Sequence, residues 1–380
     1  MSPASSPAAL LGAVGEDAHV DDQLNLRARL VELCFDRTFD RKPAGVWHAP
    51  NTLPLLGGRL QGPSLSLATH WRAMVAASVR QDRTLRIHLL GSGDETVELS
   101  LDDDRADADA PAEAISIATV LRTLARRGHL RCGIDMLRAT DLPAGVGLDV
   151  DASVRAATAR AVAGLSGARS GWGTAAAELV AALDEAWGRP ADHLVCLTAT
   201  EGFVALTFSG ATGEGQADEL SQVRLDPARH RFRLMLVTLR TAPRSPAPME
   251  WEPPEAEDIL AEEAFRLLAA RGGEPAAGQL AARLGALLDA SHAAGLSGRE
   301  PVATDPIVTA ACAAGALGAR ALSSRAMLAA VATTDVERVR RAILAACAEQ
   351  PGTSLGARFL TTAGVAGAGR GSGAIDGVGQ

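Results

Sequence analysis

Two short segments near residue 90 alternate hydrophobic with polar residues, which is typical of half-buried β-strands. Residues 91–93, Gly-Ser-Gly, separate the two segments and can form a turn, so the pattern predicts a β-hairpin. The acidic stretch that follows, residues 102–109, is predicted to be a solvated surface loop. The alternating hydrophobic positions are Leu85, Ile87 and Leu89 in the first segment and Val97, Leu99 and Leu101 in the second.

Helical periodicity marks most of the other hydrophobic segments. Between residues 111 and 127, Ile117, Leu121 and Leu124 recur at the spacing of one helix face, and Gly128 is a stop signal. Short apolar runs without this periodicity predict strands. By this reasoning, helices are predicted at 24–35, 111–127, 152–165, 174–187, 255–271, 276–292, 305–317 and 335–347, and strands at 132–137, 203–208, 232–239 and 327–332.

The order of these elements bears on the fold class. Strands and helices follow one another in blocks, without a βαβ repeat of fixed period, which favours an α+β fold over a doubly wound parallel sheet. The length of 380 residues suggests two domains of ordinary size, or one large one, and we favour two. We place them at residues 21–210 and 211–365, between a flexible N-terminal tail, 1–20, and a disordered glycine-rich end, 366–380.

Composition and charge argue against several classes of protein. The formal net charge of -8 argues against non-specific nucleic-acid binding. No run of about eighteen apolar residues lacks a charge, and no basic residue precedes Leu10, so we expect neither a membrane span nor a secretory signal. The 5 cysteines are scattered, which is typical of reduced thiols in a cytoplasmic protein rather than of a disulfide or zinc framework.

A series of short motifs is more specific than composition. The motifs are F-D-R-K-P-A-G-V-W-H-A-P at 39–50, P-A-G-V-G-L at 143–148, A-D-H-L at 191–194, S-H at 291–292 and G-A-L-G-A-R at 315–320. Taken in order and spacing, the series resembles the motifs of galactokinases, which are members of the GHMP family of small-molecule kinases. The resemblance implies a two-domain α+β fold with a ligand cleft between the domains, and phosphorylation of the anomeric hydroxyl of galactose by Mg-ATP.

The sugar-binding motif of that family is rewritten in this chain. The family's G-R-V-N-L-I-G-E-H-T-D, laid on residues 51–61, places Thr52 at the arginine that assists the catalytic base. Gly58 and Gln61 then replace the Glu and Asp that accept sugar hydroxyls. Each charged hydrogen bond lost costs on the order of 1.5–3 kcal/mol, so galactose is poorly supported in the family's pose. A different ligand, contacted by Arg59 and Gln61, and an ordinary turn both stay open.

The predicted phosphate loop has glycines that let backbone approach a ligand closely, and a helix follows whose N-terminus suits an anion. Where the family has serines that bind phosphate and Mg²⁺, this chain has Asp149 and Asp151. Each aspartate would repel a triphosphate charge about 5 Å away by roughly 3 kcal/mol. They are good N-cap residues, and a rebuilt Mg²⁺ site that uses them as ligands is the alternative. The positions that match the family loop are Pro143, Gly145, Gly147 and Leu148.

Two further positions bear on catalysis. Asp192 falls on the family's catalytic aspartate and could accept the proton of an attacking hydroxyl, although a turn or cap residue before an apolar strand is an equal interpretation. The family's third motif, M-T-G-G-G-F-G-G, becomes A-L-S-S-R-A-M-L at residues 321–328 and retains no glycine. We predict a turn into a core strand there.

Because three site motifs fail together, the leading hypothesis is a galactokinase-family protein that has lost ATP-dependent galactose phosphorylation. It would act instead as a small-molecule sensor or a protein-binding module, with no assigned metal or cofactor. The alternative is an active GHMP-type sugar kinase with a rebuilt site and an altered substrate. In that case Asp192 is the base, Mg-ATP is the cofactor, and Asp149 or Asp151 binds the metal.

Overall fold

A computed structural model provides the structure of the chain. It describes residues 20–57, 63–91, 94–103, 109–141, 150–166, 178–179, 181–183, 190–198, 203–208, 219–225, 227, 229–239, 255–270, 278–296, 301–349, 357–362 and 369–370.

Helices and strands are mixed along this part of the chain. The helices are α1 (Val20–Phe39), α2 (Ala112–Arg126), α3 (Val150–Leu165), α4 (Pro190–Thr198), α5 (Ala256–Ala269), α6 (Gln279–Leu296), α7 (Asp305–Ala313) and α8 (Val336–Glu349). The strands are β1 (Gly45–Gly57), β2 (Ser64–Val79), β3 (Thr84–Leu89), β4 (Glu95–Ser100), β5 (Ile134–Thr140), β6 (Phe203–Phe208), β7 (Glu219–Arg224), β8 (Phe232–Leu239), β9 (Gly318–Ser323), β10 (Ala326–Ala332), β11 (Ala357–Thr362) and β12 (Gly369–Arg370).

The strands form two sheets. The larger has 8 strands in the order β12-β1-β2-β5-β3-β4, with β6 paired to β2 and β7 paired to β6. Its pairs are antiparallel except for β3 and β5, which run parallel. The smaller sheet has 4 antiparallel strands in the order β11-β8-β10-β9.

Alternating side chains divide the larger sheet between two cores. Met74 of β2 and Leu137 of β5 pack against Phe35 of α1 on one face. Their neighbours Val75 and Met136 belong to the main core on the other face, where α2 and α3 cover the sheet. Helix α1 and the phosphate-loop helix α3 therefore lie on opposite faces of the sheet.

The smaller sheet is covered on both faces in the same way. Met235 and Met327 face a core formed with α7 and α8. Leu236 and Leu328 face the opposite way, toward α5 and α6, and join the main core of the larger sheet. The two sheets are thus connected through one continuous hydrophobic core.

Most of the predicted elements are present. The hairpin of β3 and β4 is confirmed, with Ile87 opposite Val97, and so are the helices now seen as α1, α2, α3, α5, α6, α7 and α8. All 5 cysteines are free thiols in this structure. No helix in the described ranges is long and apolar enough to cross a membrane.

Some predictions were wrong. The apolar segment that follows Asp192, interpreted as a strand, belongs to helix α4. The domain bounds stay a prediction. In the C-terminal segment predicted to be disordered, Gly369 pairs with His48 and Arg370 with Trp47 of β1. Strand β7, which follows the boundary placed at residue 210, pairs with β6 in the larger sheet. The long strands β1 and β2 were not predicted. Strand β1 lacks the hydrophobic–polar alternation on which strand prediction depends, and β2 has it clearly only at its start, in residues 64–67.

Candidate functional site

Part of the predicted site lies outside the described residues. Two of the predicted site residues are described with their side chains: Asp151 of the predicted phosphate loop and Thr52 of the predicted sugar loop. Asp192 belongs to the described backbone of α4, but its side chain is not described. The predicted site residues outside the described ranges are Pro143, Gly145, Gly147, Leu148, Asp149, Gly58, Arg59 and Gln61. The flanking strands and helices therefore define the geometry around both loops.

The N-terminus of α3, directly after the phosphate loop, carries paired charges. The exposed carboxylate of Asp151 lies 3.6 Å from Arg155 one turn later. Arg138 of β5 is buried and forms an ion pair with Glu113. Burial lowers the pKa of Arg138 to about 10, while Asp151 opposes this shift. Two guanidinium groups thus compensate two carboxylates here, which reduces the repulsion that Asp151 would exert on a phosphate.

The same helix start lacks an available hydroxyl group. Its first residues, Val150, Asp151 and Ala152, have none. Ser153 is fully buried, and its Oγ lies 2.6 Å from Asn51 Oδ1 and 2.8 Å from the carbonyl oxygen of Val150. The hydroxyl is therefore used within the protein and is not presented to a ligand.

Asn51 fills space next to this helix. It lies in β1, at the position where the family motif has glycine, and is fully buried. Its Oδ1 accepts from Ser153, while its Nδ2 is buried with no hydrogen-bond partner among the described residues. Thr52, which replaces the family's arginine, is 1% exposed and pairs with Ala68 of β2. The start of the sugar segment is thus an interior strand, not a surface loop.

The third motif is a β-hairpin. Strands β9 and β10 meet at a tight turn in which Ser323 Oγ accepts hydrogen bonds from the backbone N–H groups of Arg325 and Ala326, each at 3.1 Å. Met327 is fully buried in the core beneath α7 and α8. The predicted turn into a core strand is confirmed. The strand before the turn, β9, was not predicted.

A buried ion pair lies at the base of the sugar loop and was not predicted from the sequence. Glu257 Oε2 accepts from Arg320 Nη1 and from the backbone N–H of Gly57, both at 2.9 Å. Glu257 Oε1 accepts from the Ser291 hydroxyl. The four residues come from β1, α5, α6 and β9, and their wide separation in sequence leaves no local signal. The cluster joins the larger sheet to the smaller one.

Gly57 itself has a conformation that requires glycine. Its φ is +73°, and a Cβ atom there would lie 2.1 Å from the carbonyl oxygen of Pro63. The two ends of the sugar loop therefore meet at this point, next to Glu257.

Asp192 is the third residue of α4, so a helix and not a strand follows it. The helix packs on the sugar segment: Cys196 Sγ donates to the carbonyl oxygen of Pro50 at 3.2 Å, and His193 is fully buried. In the described ranges no group of three or more His, Cys, Asp or Glu side chains could hold a metal ion.

Comparison with known proteins supports the resemblance seen in the sequence. No protein-family model matches the chain. A galactokinase from Streptomyces coelicolor is 32% identical over 131 residues, which are 34% of this chain and 34% of that protein. The match thus spans about a third of the length of this curated relative.

Solved structures show the same fold over most of the chain. The crystal structure of Lactococcus lactis galactokinase complexed with galactose has a TM-score of 0.70 and 15% identity, and the match covers 90% of this chain and 99% of that one. Mevalonate kinase from Methanococcus jannaschii has a TM-score of 0.57 and 14% identity, covering 84% and 98%. The chain therefore has the two-domain α+β fold seen in these kinases, and part of its sequence is similar to that of a galactokinase.

Proposed function

We propose that this protein has lost ATP-dependent phosphorylation of galactose and binds a small molecule or a protein partner instead. The observation that carries the proposal is the hairpin of β9 and β10. A glycine-rich loop lets backbone pass close to a substrate. Here Ala326 and Met327 are both fully buried, so side chains that belong to the protein core occupy this segment.

The contact between Asn51 and Ser153 supports the same proposal from the other end of the site. A kinase stabilises the transferred phosphoryl group by placing donors and Mg²⁺ around it. Helix α3 offers no hydroxyl from its first three residues, and the next hydroxyl, on Ser153, is bonded to β1. The segment that matches the glycine-rich motif and the start of α3 should act together on substrate and phosphate in a kinase. In this chain the side chains of both are used for contacts within the protein.

An assay of ADP release with galactose and Mg-ATP tests this proposal. The purified full chain should show no turnover above the blank, whereas kinases commonly turn over about 1–100 times per second. The Lactococcus lactis galactokinase, measured in parallel, controls for the assay. Galactose-dependent ADP release by this chain at a comparable rate would refute the proposal.

An active kinase with another substrate is the second candidate. The pairing of Asp151 with Arg155 favours it, because this pairing reduces the charge repulsion against a nucleotide at the start of α3. Its base would be Asp192, which the resemblance places at the catalytic position. A screen of sugars should then find one whose phosphorylation is abolished by Asp192→Asn and retained by the exposed control Glu262→Gln. Equal turnover in both variants would eliminate this candidate.

A further inference from the structure

A polar pocket of about 460 Å³ opens on the larger sheet, at the N-terminal end of β5. Strand β5 ends five residues after Asp135, roughly 17 Å away at the rise of a β-strand. The predicted phosphate loop follows that opposite end of the strand. The pocket is therefore separate from the predicted nucleotide site. Its lining residues are Arg41, Arg80, Gln81, Asp82, Arg86 and Asp135.

Three guanidinium groups converge on one buried carboxylate in this pocket. Asp135 is 1% exposed and lies 2.5 Å from Arg41, 2.7 Å from Arg80 and 2.7 Å from Arg86. Burial opposes its ionisation, but hydrogen bonds from Arg86 and Arg80 and the charge of Arg41 hold its pKa below the usual value. Asp135 alone does not balance three positive charges.

The second carboxylate of the pocket, Asp82, pairs with one arginine and also accepts from the backbone N–H of Thr84. Asp82 accepts from Nε and Nη2 of Arg80, at 2.7 Å and 2.5 Å, and Nη1 of the same arginine binds Asp135. Arg80 is thereby satisfied. Three arginines against two aspartates leave one positive charge in excess, and this excess belongs to Arg41 and Arg86.

Both of these arginines have N–H groups to spare. Arg86 uses Nε on Asp135, and its Nη1 and Nη2 have no hydrogen-bond partner among the described residues. Arg41 uses Nη2 on Asp135 and on the carbonyl oxygens of Ser78 and Val79. Their side chains are 29% and 37% exposed. The Nε of Arg41 is buried without a hydrogen-bond partner in the described ranges, so its spare donors toward the pocket are those of Nη1.

The orientation of Arg86 is fixed by an aromatic ring. Its guanidinium carbon lies 5.0 Å from the ring centroid of Phe39, a cation–π contact that holds the plane of the group. The hydrogen bond to Asp135 raises the pKa of Arg86, and the charge of Glu98, opposite Arg86 in the β3–β4 ladder, adds to this effect, but Glu98 does not occupy the arginine's spare N–H donors. The spare donors of Arg86 thus form a preorganised fork beside those of Arg41.

We propose that this pocket binds a phosphate group through Arg41 and Arg86. Arginine offers paired N–H donors that match phosphate oxygens, and a tetrahedral dianion can accept from two guanidinium groups that are not coplanar. The group would come from free phosphate or from a phosphorylated small molecule. The remaining volume of the pocket and the exposed Gln81 leave room for a substituent on the phosphate.

Titration calorimetry on the full chain tests the proposal, with inorganic phosphate and glycerol phosphate as probes at constant ionic strength. Saturable binding should weaken at least about tenfold in Arg86→Gln and in Arg41→Gln, as for loss of a charged hydrogen bond. Arg83→Gln is the matched control, because Arg83 lies in the same region but pairs with Asp102 outside the pocket. It should bind like the parent protein. Tighter binding of the ester than of inorganic phosphate identifies a phosphorylated small molecule as the ligand, and equal binding identifies free phosphate.

Arg86→Lys keeps the positive charge beside Asp135. It therefore distinguishes phosphate binding lost with the paired donors from phosphate binding lost through misfolding. With an unchanged melting temperature it should still bind phosphate more weakly than the parent protein, since lysine lacks the paired donors. The proposal is overturned if neither probe binds saturably, if Arg86→Gln and Arg41→Gln bind normally, or if Arg83→Gln loses affinity equally.

Discussion

Replacing Glu257 by glutamine tests whether a buried ion pair holds the two sheets together. Glu257 is fully buried, and Arg320, its partner at 2.9 Å, is 3% exposed. Burial lowers the pKa of Arg320, and the charge of Glu257 opposes this effect. Glutamine keeps the shape of the side chain and can turn its amide nitrogen toward Ser291. The negative charge is therefore the main property removed.

The expected loss in free energy of unfolding depends on the hydrogen bonds that Arg320 retains in the Glu257→Gln variant. Arg320 keeps its hydrogen bond to the carbonyl oxygen of Leu55 at 3.0 Å and can donate to the amide oxygen of the glutamine, but neither acceptor carries a net charge. Removing one partner of a buried pair leaves an uncompensated charge and costs about 3–5 kcal/mol. For a cooperative unit of about 150–250 residues this corresponds to a melting temperature lower by roughly 6–20 °C.

Urea and thermal unfolding of Glu257→Gln measure this cost. Glu262→Gln on the same helix is the control, because Glu262 pairs with Arg266 at 2.8 Å on the exposed surface. Such a pair contributes about 0.2–0.5 kcal/mol. Adding Arg320→Met to Glu257→Gln should recover part of the loss, since no unpaired charge remains. A Glu257→Gln protein as stable as Glu262→Gln would refute the reasoning.

Two further changes test packing and charge. A Cβ on Gly285 would lie 2.2 Å from the carbonyl oxygen of Leu317, so Gly285→Ala should lower the free energy of unfolding by about 1–3 kcal/mol despite the higher helix propensity of alanine; equal or greater stability in urea would contradict this. Burial, and then Arg72 and Arg160, lower the pKa of His48 to about 3. The unfolded chain binds this proton near pH 6.5 and the native one does not, so stability should fall as pH drops from about 6.5 toward 3, by up to about 1.4 kcal/mol per pH unit from this group. His48→Gln should flatten that slope in urea unfolding at several pH values, and an unchanged slope would be inconsistent with a neutral buried His48.

The elements that could be predicted from the sequence are those with a single buried face. Helix α2 and the hairpin of β3 and β4 have one side in the core, which gives a readable period. Strand β1 is buried on both faces and contains Pro50 and Pro54. Its pairing with β2 shifts register after each proline, because proline has no N–H to donate. Central strands of this kind lose the alternation that marks a strand.

Helix α4 shows a second limit of prediction. Its apolar residues 194–197 form a run too short to separate a strand from a buried helix turn. The segment is a helix that packs against β1, and Cys196 Sγ donates a hydrogen bond to the carbonyl oxygen of Pro50. A tertiary contact between residues more than a hundred positions apart along the chain leaves no sign in a local sequence pattern.

The candidate site was predicted in part. The loss of glycine in residues 321–328 indicated a turn into a core strand, and the structure has one. The ion pair of Asp151 with Arg155 follows the i,i+4 spacing on a helix and was available to sequence analysis. The pair of Glu257 and Arg320 was not, because only the fold brings α5 next to β9.

Binding of Mg-ATP to the full chain is the most direct measure of whether the nucleotide site is lost. Calorimetry should be run on the parent protein and on Arg86→Gln, so that phosphate contacts in the pocket of Arg41 and Arg86 are recognised. We expect no saturable binding in Arg86→Gln at millimolar nucleotide. Stoichiometric binding of Mg-ATP that persists in Arg86→Gln would contradict the account.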